Sequence, residues 1–142
     1  MGVLDLAAGE SASPVEFRDG GAADLSVTTD GWSFLADAYG RRLVALTPDQ
    51  SDGLARHLRD FWESEETAAP VPTHVAADRS RVLLAVEGRV LEYAVRANGL
   101  SDYPVREHDL ADVGPISDLV LLPGGLFAVV APQRDAVFVL GR

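Results

Sequence analysis

The 142-residue chain carries 22 acidic residues against 12 basic ones, a net charge of −10, and 47% of it is hydrophobic. Such a chain fits one domain with a real core and is not mainly disordered; its charge opposes nucleic-acid phosphates and anionic membrane surfaces. It has neither cysteine nor lysine, which excludes a disulfide framework, a thiolate metal site, a Cys nucleophile, Schiff-base chemistry and a P-loop lysine.

All the basic residues are arginine, Asn98 is the sole asparagine and Ile116 the sole isoleucine. That bias against AT-rich codons points to a GC-rich, bacterial genome. The first residues lack the basic region of a signal peptide. No run of about 18 apolar residues is present to span a membrane. A cytoplasmic protein is the expectation.

Residues 1–13 read as a flexible arm, and 14–142 as a single β-repeat domain. Pro14-Val-Glu-Phe-Arg18 alternates apolar and polar residues, as a half-buried strand does, and Asp19-Gly20-Gly21 ends it. The first repeat follows over about 25–46: a strand through Val27, a turn at Asp30-Gly31, a strand through Phe34, a turn at Tyr39-Gly40-Arg41, and a strand through Leu46. Asp-Gly is a strong hairpin signal because a tight turn needs positive φ.

The next segment reads differently. Thr47 and Gln50 form a capping box around Pro48, and Leu54, Leu58, Phe61 and Trp62 recur at helical spacing. This predicts an amphipathic helix at about 48–64. Glu63, Glu65 and Glu66 then lead into the stiff Pro70-Val-Pro72 connector. Phe61 and Trp62 beside those three glutamates make an aromatic anchor with an acidic rim, suited to a basic protein groove. The competing reading packs the helix on its own sheet.

The second repeat spans about 73–95, with turns at Asp78-Arg79-Ser80 and Glu87-Gly88-Arg89. Pro104-Val-Arg-Glu-His-Asp109 then restates Pro14-Val-Glu-Phe-Arg-Asp19, and each copy leads through Ala-Asp towards a repeat. The unit therefore has an outer edge strand. The third repeat spans about 117–140, with turns at Pro123-Gly-Gly125 and Pro132–Asp135. Aligned on Val27, Val75 and Val120, the repeats lie 48 and 45 residues apart, close to one propeller blade of roughly 40–50 residues.

The pattern from Val27 to Leu46, Val-x-x-Asp-Gly-x-x-Phe-Leu-Ala-Asp-x-x-Gly-Arg-Arg-Leu-Val-Ala-Leu, resembles a β-propeller repeat of the NHL or YVTN kind. The resemblance implies a mainly β fold of three repeated antiparallel meanders, a partial propeller with one helix. The alternative is a β-sandwich or roll with the helix covering one open face. Three blades do not close a ring, which typically holds about 4–8. A homodimer closes one, with the 14–18 strand completing the last blade of a neighbouring copy.

Candidate chemistry is sparse. His57, His74 and His108 have no second ligand at metal spacing. His57 reads as packed, and His108 as part of a solvated edge strand. Asp37 and Glu87 fall near the end of the second strand of their repeats, where carboxylates could line a channel mouth. No catalytic residue, metal site or cofactor is assigned. The leading expectation is a non-enzymatic protein-interaction or scaffold module that forms a homo-oligomer. The alternatives are a small acidic inhibitor or immunity-type protein with a basic partner, and a ligand-binding or enzymatic propeller completed by dimerisation.

Overall fold

The computed structural model describes residues 2–3, 16–17, 21–49, 52–60, 69–97 and 99–141. Two short strands come first: β1 (Gly2–Val3) pairs antiparallel with β2 (Glu16–Phe17). Three antiparallel sheets follow in chain order. The first is β3 (Ala22–Val27), β4 (Ser33–Asp37), β5 (Arg42–Leu46) and β6 (Gly53–His57), each paired to the next.

The second sheet is β7 (His74–Ala77), β8 (Arg81–Val86) and β9 (Arg89–Arg96), with a divided outer strand. That outer strand is β10 (Gly99–Leu100) against the end of β9 and β11 (Arg106–Asp109) against its first half. The third sheet is β12 (Asp118–Leu121), β13 (Phe127–Ala131) and β14 (Ala136–Leu140).

The first strands of the sheets, β3, β7 and β12, lie side by side, so each sheet packs face to face on the next. Strand alternation sends successive side chains to opposite faces. In β8, Val82, Leu84 and Val86 join the core shared with the first sheet, while Leu83 and Ala85 join the core shared with the third. The first core receives Phe34, Ala36, Leu43 and Ala45 from the opposite side, and the second receives Leu119, Phe127 and Val129. The middle sheet is thus buried on both faces, which explains its near-continuous apolar run Val82-Leu-Leu-Ala-Val86.

Polar bonds stitch the sheets together. Val75 N–H donates to Asp24 Oδ2 (3.0 Å) and Ala77 N–H to Ser26 Oγ (3.0 Å). His74 Nε2 donates to the Ser117 carbonyl (3.1 Å). Arg56 reaches from β6 to the Ser101 and Leu100 carbonyls, each at 2.9 Å.

The second hairpin of every sheet turns through one left-handed residue just before its third strand. These are Arg41 (φ 50°), Gly88 (φ 82°) and Asp135 (φ 49°). The predicted second turns are all present, and although two hold four residues and the middle one two, each ends on a positive φ.

Two expectations are corrected. The helix at about 48–64 is a strand over Gly53–His57, followed by a single 3-10 turn at Leu58–Asp60; residues 61–64 lie outside the described residues. Instead of capping a helix, Thr47 closes the β5–β6 turn, its hydroxyl donating to Asp49 Oδ1 (2.7 Å) and its N–H to the Asp52 carbonyl (3.1 Å). The edge of β5 offers β6 a full ladder, from Leu46 opposite Gly53 to Arg42 opposite His57. Leu54 and Leu58 pack on the core equally well from this strand and turn. Tertiary pairing outweighs a local helical period that a glycine already weakens.

The repeat register also shifts. Val27 opposite Ser33, Ala77 opposite Val82 and Leu121 opposite Phe127 are the equivalent positions. Alignment on Val27, Val75 and Val120 is two residues off in the second sheet and one off in the third.

Candidate functional surfaces

The sequence-predicted residues do not meet in one place. Asp37 ends β4, buried, with its Oδ2 accepting Arg42 Nε (2.6 Å) and its Oδ1 accepting the Gly40 N–H (2.9 Å). Both oxygens are thus committed within one hairpin turn. Glu87 is an exposed turn residue after β8, one position beyond the equivalent of Asp37. Phe61, Trp62, Glu63, Glu65 and Glu66 lie outside the described residues. Among the described residues there is no group of three or more His, Asp or Glu placed to hold a metal.

Glu87 does border a pocket of about 450 Å³ between the β8–β9 turn and the connection from β11 to β12, lined also by Val71, Thr73, Val86, Leu110 and Ile116. Its walls are mainly apolar, with Glu87 as the ionised group at the rim.

A polar cluster unforeseen in the sequence lies between the second and third sheets. Arg81 donates to the carbonyls of Gly125 (2.9 Å) and Leu126 (2.6 Å), and its Nη1 stands 3.4 Å from Glu92 Oε1. His108 Nε2 stands 3.5 Å from the same oxygen, an ion-pair distance but a long one for a hydrogen bond. The His108 ring meets Phe127 edge-on, with centroids 4.8 Å apart. All three polar side chains are at most 15% exposed. His108 is thus a packed inter-sheet residue and not part of a solvated edge. The signal was the alternation of β11, which turns His108 inward and its neighbours Glu107 and Asp109 out.

The outer face of the third sheet is open, and that of the first is open only along β3. There Leu25 and Val27 are 43% and 57% exposed, whereas Leu35, Val44 and Leu46 beside them form a small buried cluster. On the third, Val120, Val137 and Val139 are 45%, 63% and 58% exposed. Register joins them: Val120 is opposite Ala128, Val139 opposite Ala128, and Val137 opposite Val130. These valines form one contiguous exposed apolar row across β12 and β14. Among the described residues no strand pairs with the outer edge of β14, whereas the other two sheets carry an outer strand.

No family model matches the sequence, and no curated protein matches it. Among solved structures the chain is similar to one described as "Streptogramin B lyase structure", with a TM-score of 0.60 at 11% identity. The match covers 89% of this chain and 39% of that one. No helix among the described residues is long and apolar enough to cross a membrane. At that identity the likeness is one of fold, and the fold is a mainly β, propeller-like array of antiparallel sheets.

Proposed function

We propose that this chain is a propeller segment with repeats of the NHL or YVTN kind, and that it works as a non-enzymatic protein-interaction module. The open apolar face of its third sheet carries the reading, with the exposed margin of the first at Leu25 and Val27 beside it. The third face is built like the buried faces between the sheets, with valine side chains in register, yet Val137 and Val139 are more than half exposed. A soluble partner that covers such a face removes roughly 25 cal/mol per Å² of apolar surface from water. The partner is a protein, since the chain's net charge of −10 repels polyanions.

Hydroxyl-radical footprinting of the assembled protein tests this, comparing a complex recovered from cell extract with the chain diluted to its free state. Leu25, Val27, Val137 and Val139 should be oxidised several-fold more slowly in the complex. Equal oxidation in both states, or protection centred on the Glu87 pocket instead, would overturn the reading.

A further inference from the structure

We infer that the pocket beside Glu87 is a binding site for a small organic cation, a compound with an apolar body and one protonated amine. The inference goes beyond the interaction-module reading, because the pocket shares no residue with the exposed valine row of the third sheet.

The first argument is the build of the cavity. Its volume of about 450 Å³ falls within the range of about 300–1,000 Å³ in which proteins enclose a whole small ligand. Three separate stretches of chain contribute: Val71 and Thr73 before β7, the β8–β9 turn, and the connection from β11 to β12. Val86 and Leu110 in its walls are 4% and 2% exposed and belong to the hydrophobic cores on either face of the middle sheet. The apolar wall is therefore fixed by the same packing that holds the sheets together.

The rim is fixed as well. The Leu110 N–H donates to the Gly88 carbonyl (2.9 Å), tying the connection to the β8–β9 turn. The Val113 and Gly114 N–H groups both donate to the Leu110 carbonyl, at 2.9 and 3.1 Å. Gly88 and Gly114 take φ of 82° and 83°, and a Cβ placed on either meets nothing within 4 Å. Both glycines thus line open space. A cavity formed before its ligand arrives spares the cost of ordering it on binding.

The second argument is charge. Glu87 is the one ionisable residue in the lining. Asp37, at the nearly equivalent place in the first sheet, commits both oxygens to its own hairpin. Glu87 follows β8 in a shorter turn, and among the described residues no hydrogen bond or ion pair engages its carboxylate. Asp109 and Asp112 are exposed on the adjoining connection, Asp109 Oδ1 accepting the Ala111 N–H (2.8 Å). Of the cations nearby, Arg89 is paired with Glu107 (3.5 Å) and Arg134 donates to the Asp112 carbonyl (2.7 Å). An anionic ligand would meet an unpaired carboxylate there, whereas a cation finds its counter-charge. The walls hold no aromatic ring, so they lack the faces that select a quaternary ammonium. An amine N–H donating to the Glu87 carboxylate fits instead. The volume favours a free compound over the stem of one lysine side chain.

Amide NMR of the isotope-labelled wild-type chain tests this, with cyclohexylmethylamine as the probe and cyclohexylmethanol and cyclohexanecarboxylate as its neutral and anionic counterparts. The amine should shift the Val86, Gly88, Ala111 and Gly114 amides saturably. It should bind about three- to ten-fold more tightly than the alcohol, and the carboxylate should not bind. Glu87→Gln should remove the advantage of the amine and leave alcohol binding unchanged. Asp112→Asn removes one charge from the same end of the molecule and should keep that advantage. No saturable shifts with the amine, equal affinity for amine and alcohol, or equal losses in the two variants would each overturn the inference. Tighter binding of N-acetyl-lysine amide at the same amides would also overturn it, by making the occupant a protein side chain. None of these results bears on protection of Val137 and Val139, so the interaction-module reading stands or falls separately.

Discussion

Asp24 and Val75 are 51 residues apart in sequence, and a single 3.0 Å hydrogen bond from the Val75 N–H to Asp24 Oδ2 joins them across the first sheet interface. β7 is the inner strand of its sheet, with no ladder partner on the side away from β8. Asp24 and Ser26 satisfy two of its amides. Asp24→Ala should therefore cost about 1–2 kcal/mol, a fall in Tm of roughly 3–6 °C for a domain of this size. Asp24→Asn, which keeps an acceptor, should lose less than half of that in a thermal melt. Equal losses would mean that the carboxylate charge, and not the accepted N–H, holds the sheets together.

The three left-handed turn residues give a matched test. Nothing lies within 4 Å of a Cβ placed on Gly88, so Gly88→Ala probes backbone conformation alone and should destabilise by about 1 kcal/mol. Asp135 already pays for a left-handed φ of 49° with a side chain in place. Asp135→Gly should leave stability unchanged or raise it by up to about 1 kcal/mol in urea denaturation. If both substitutions lower the midpoint alike, the left-handed φ is not what these positions require.

Partial burial works to raise the Asp78 carboxyl, but the Ser80 N–H and hydroxyl, the Arg81 N–H and the Arg81 charge together hold it below the ordinary 3.8. A depressed folded pKa adds stability that is fully present above the unfolded value and is lost as pH falls through the folded one. Asp78→Asn should thus be less stable than wild type at pH 6, with the gap in Tm closing below pH 3.8. A gap that does not change between pH 6 and pH 2.5 would show that the ionised carboxylate contributes nothing to the turn.

Burial pushes the Tyr93 phenol well above the ordinary 10.0; the Arg56 charge opposes this, and those of Asp60 and Glu107 add to it. Its hydroxyl is buried without a hydrogen-bond partner among the described residues. The folded state holds the phenol neutral while the unfolded chain ionises near pH 10, so stability present below pH 10 drains away above it. Tyr93→Phe should melt at or above the wild-type temperature at pH 7, since it removes an unsatisfied group, and its advantage should widen from pH 9 to pH 11. A loss of several degrees at pH 7 would mean that the hydroxyl has a partner.

Much of the fold was legible because its signals are local. Asp30-Gly31, Asp78-Arg79-Ser80 and Pro123-Gly-Gly125 sit at turns because short-range backbone geometry puts them there. What misled was a segment whose local period and tertiary fate disagree. Leu54 and Leu58 fit a helix face, yet the open edge of β5 and the core beyond it take them as strand and turn. The Arg81–Glu92–His108 cluster was illegible for another reason. Its members come from three strands, and only the face-to-face packing of two sheets turns three unremarkable polar side chains into largely buried neighbours.

The middle sheet is buried from both sides, alternate residues of β8 belonging to different cores. A consequence is kinetic. In a linear array, nearest-neighbour coupling sets the order of assembly, and the middle sheet, whose β7, β8 and β9 all give residues to both cores, is the one whose formation lowers the cost of docking on both flanks. Folding is therefore expected to nucleate at the Arg81–Arg96 hairpin and spread outward, and native-state amide exchange should be slowest there and fastest in the terminal sheets.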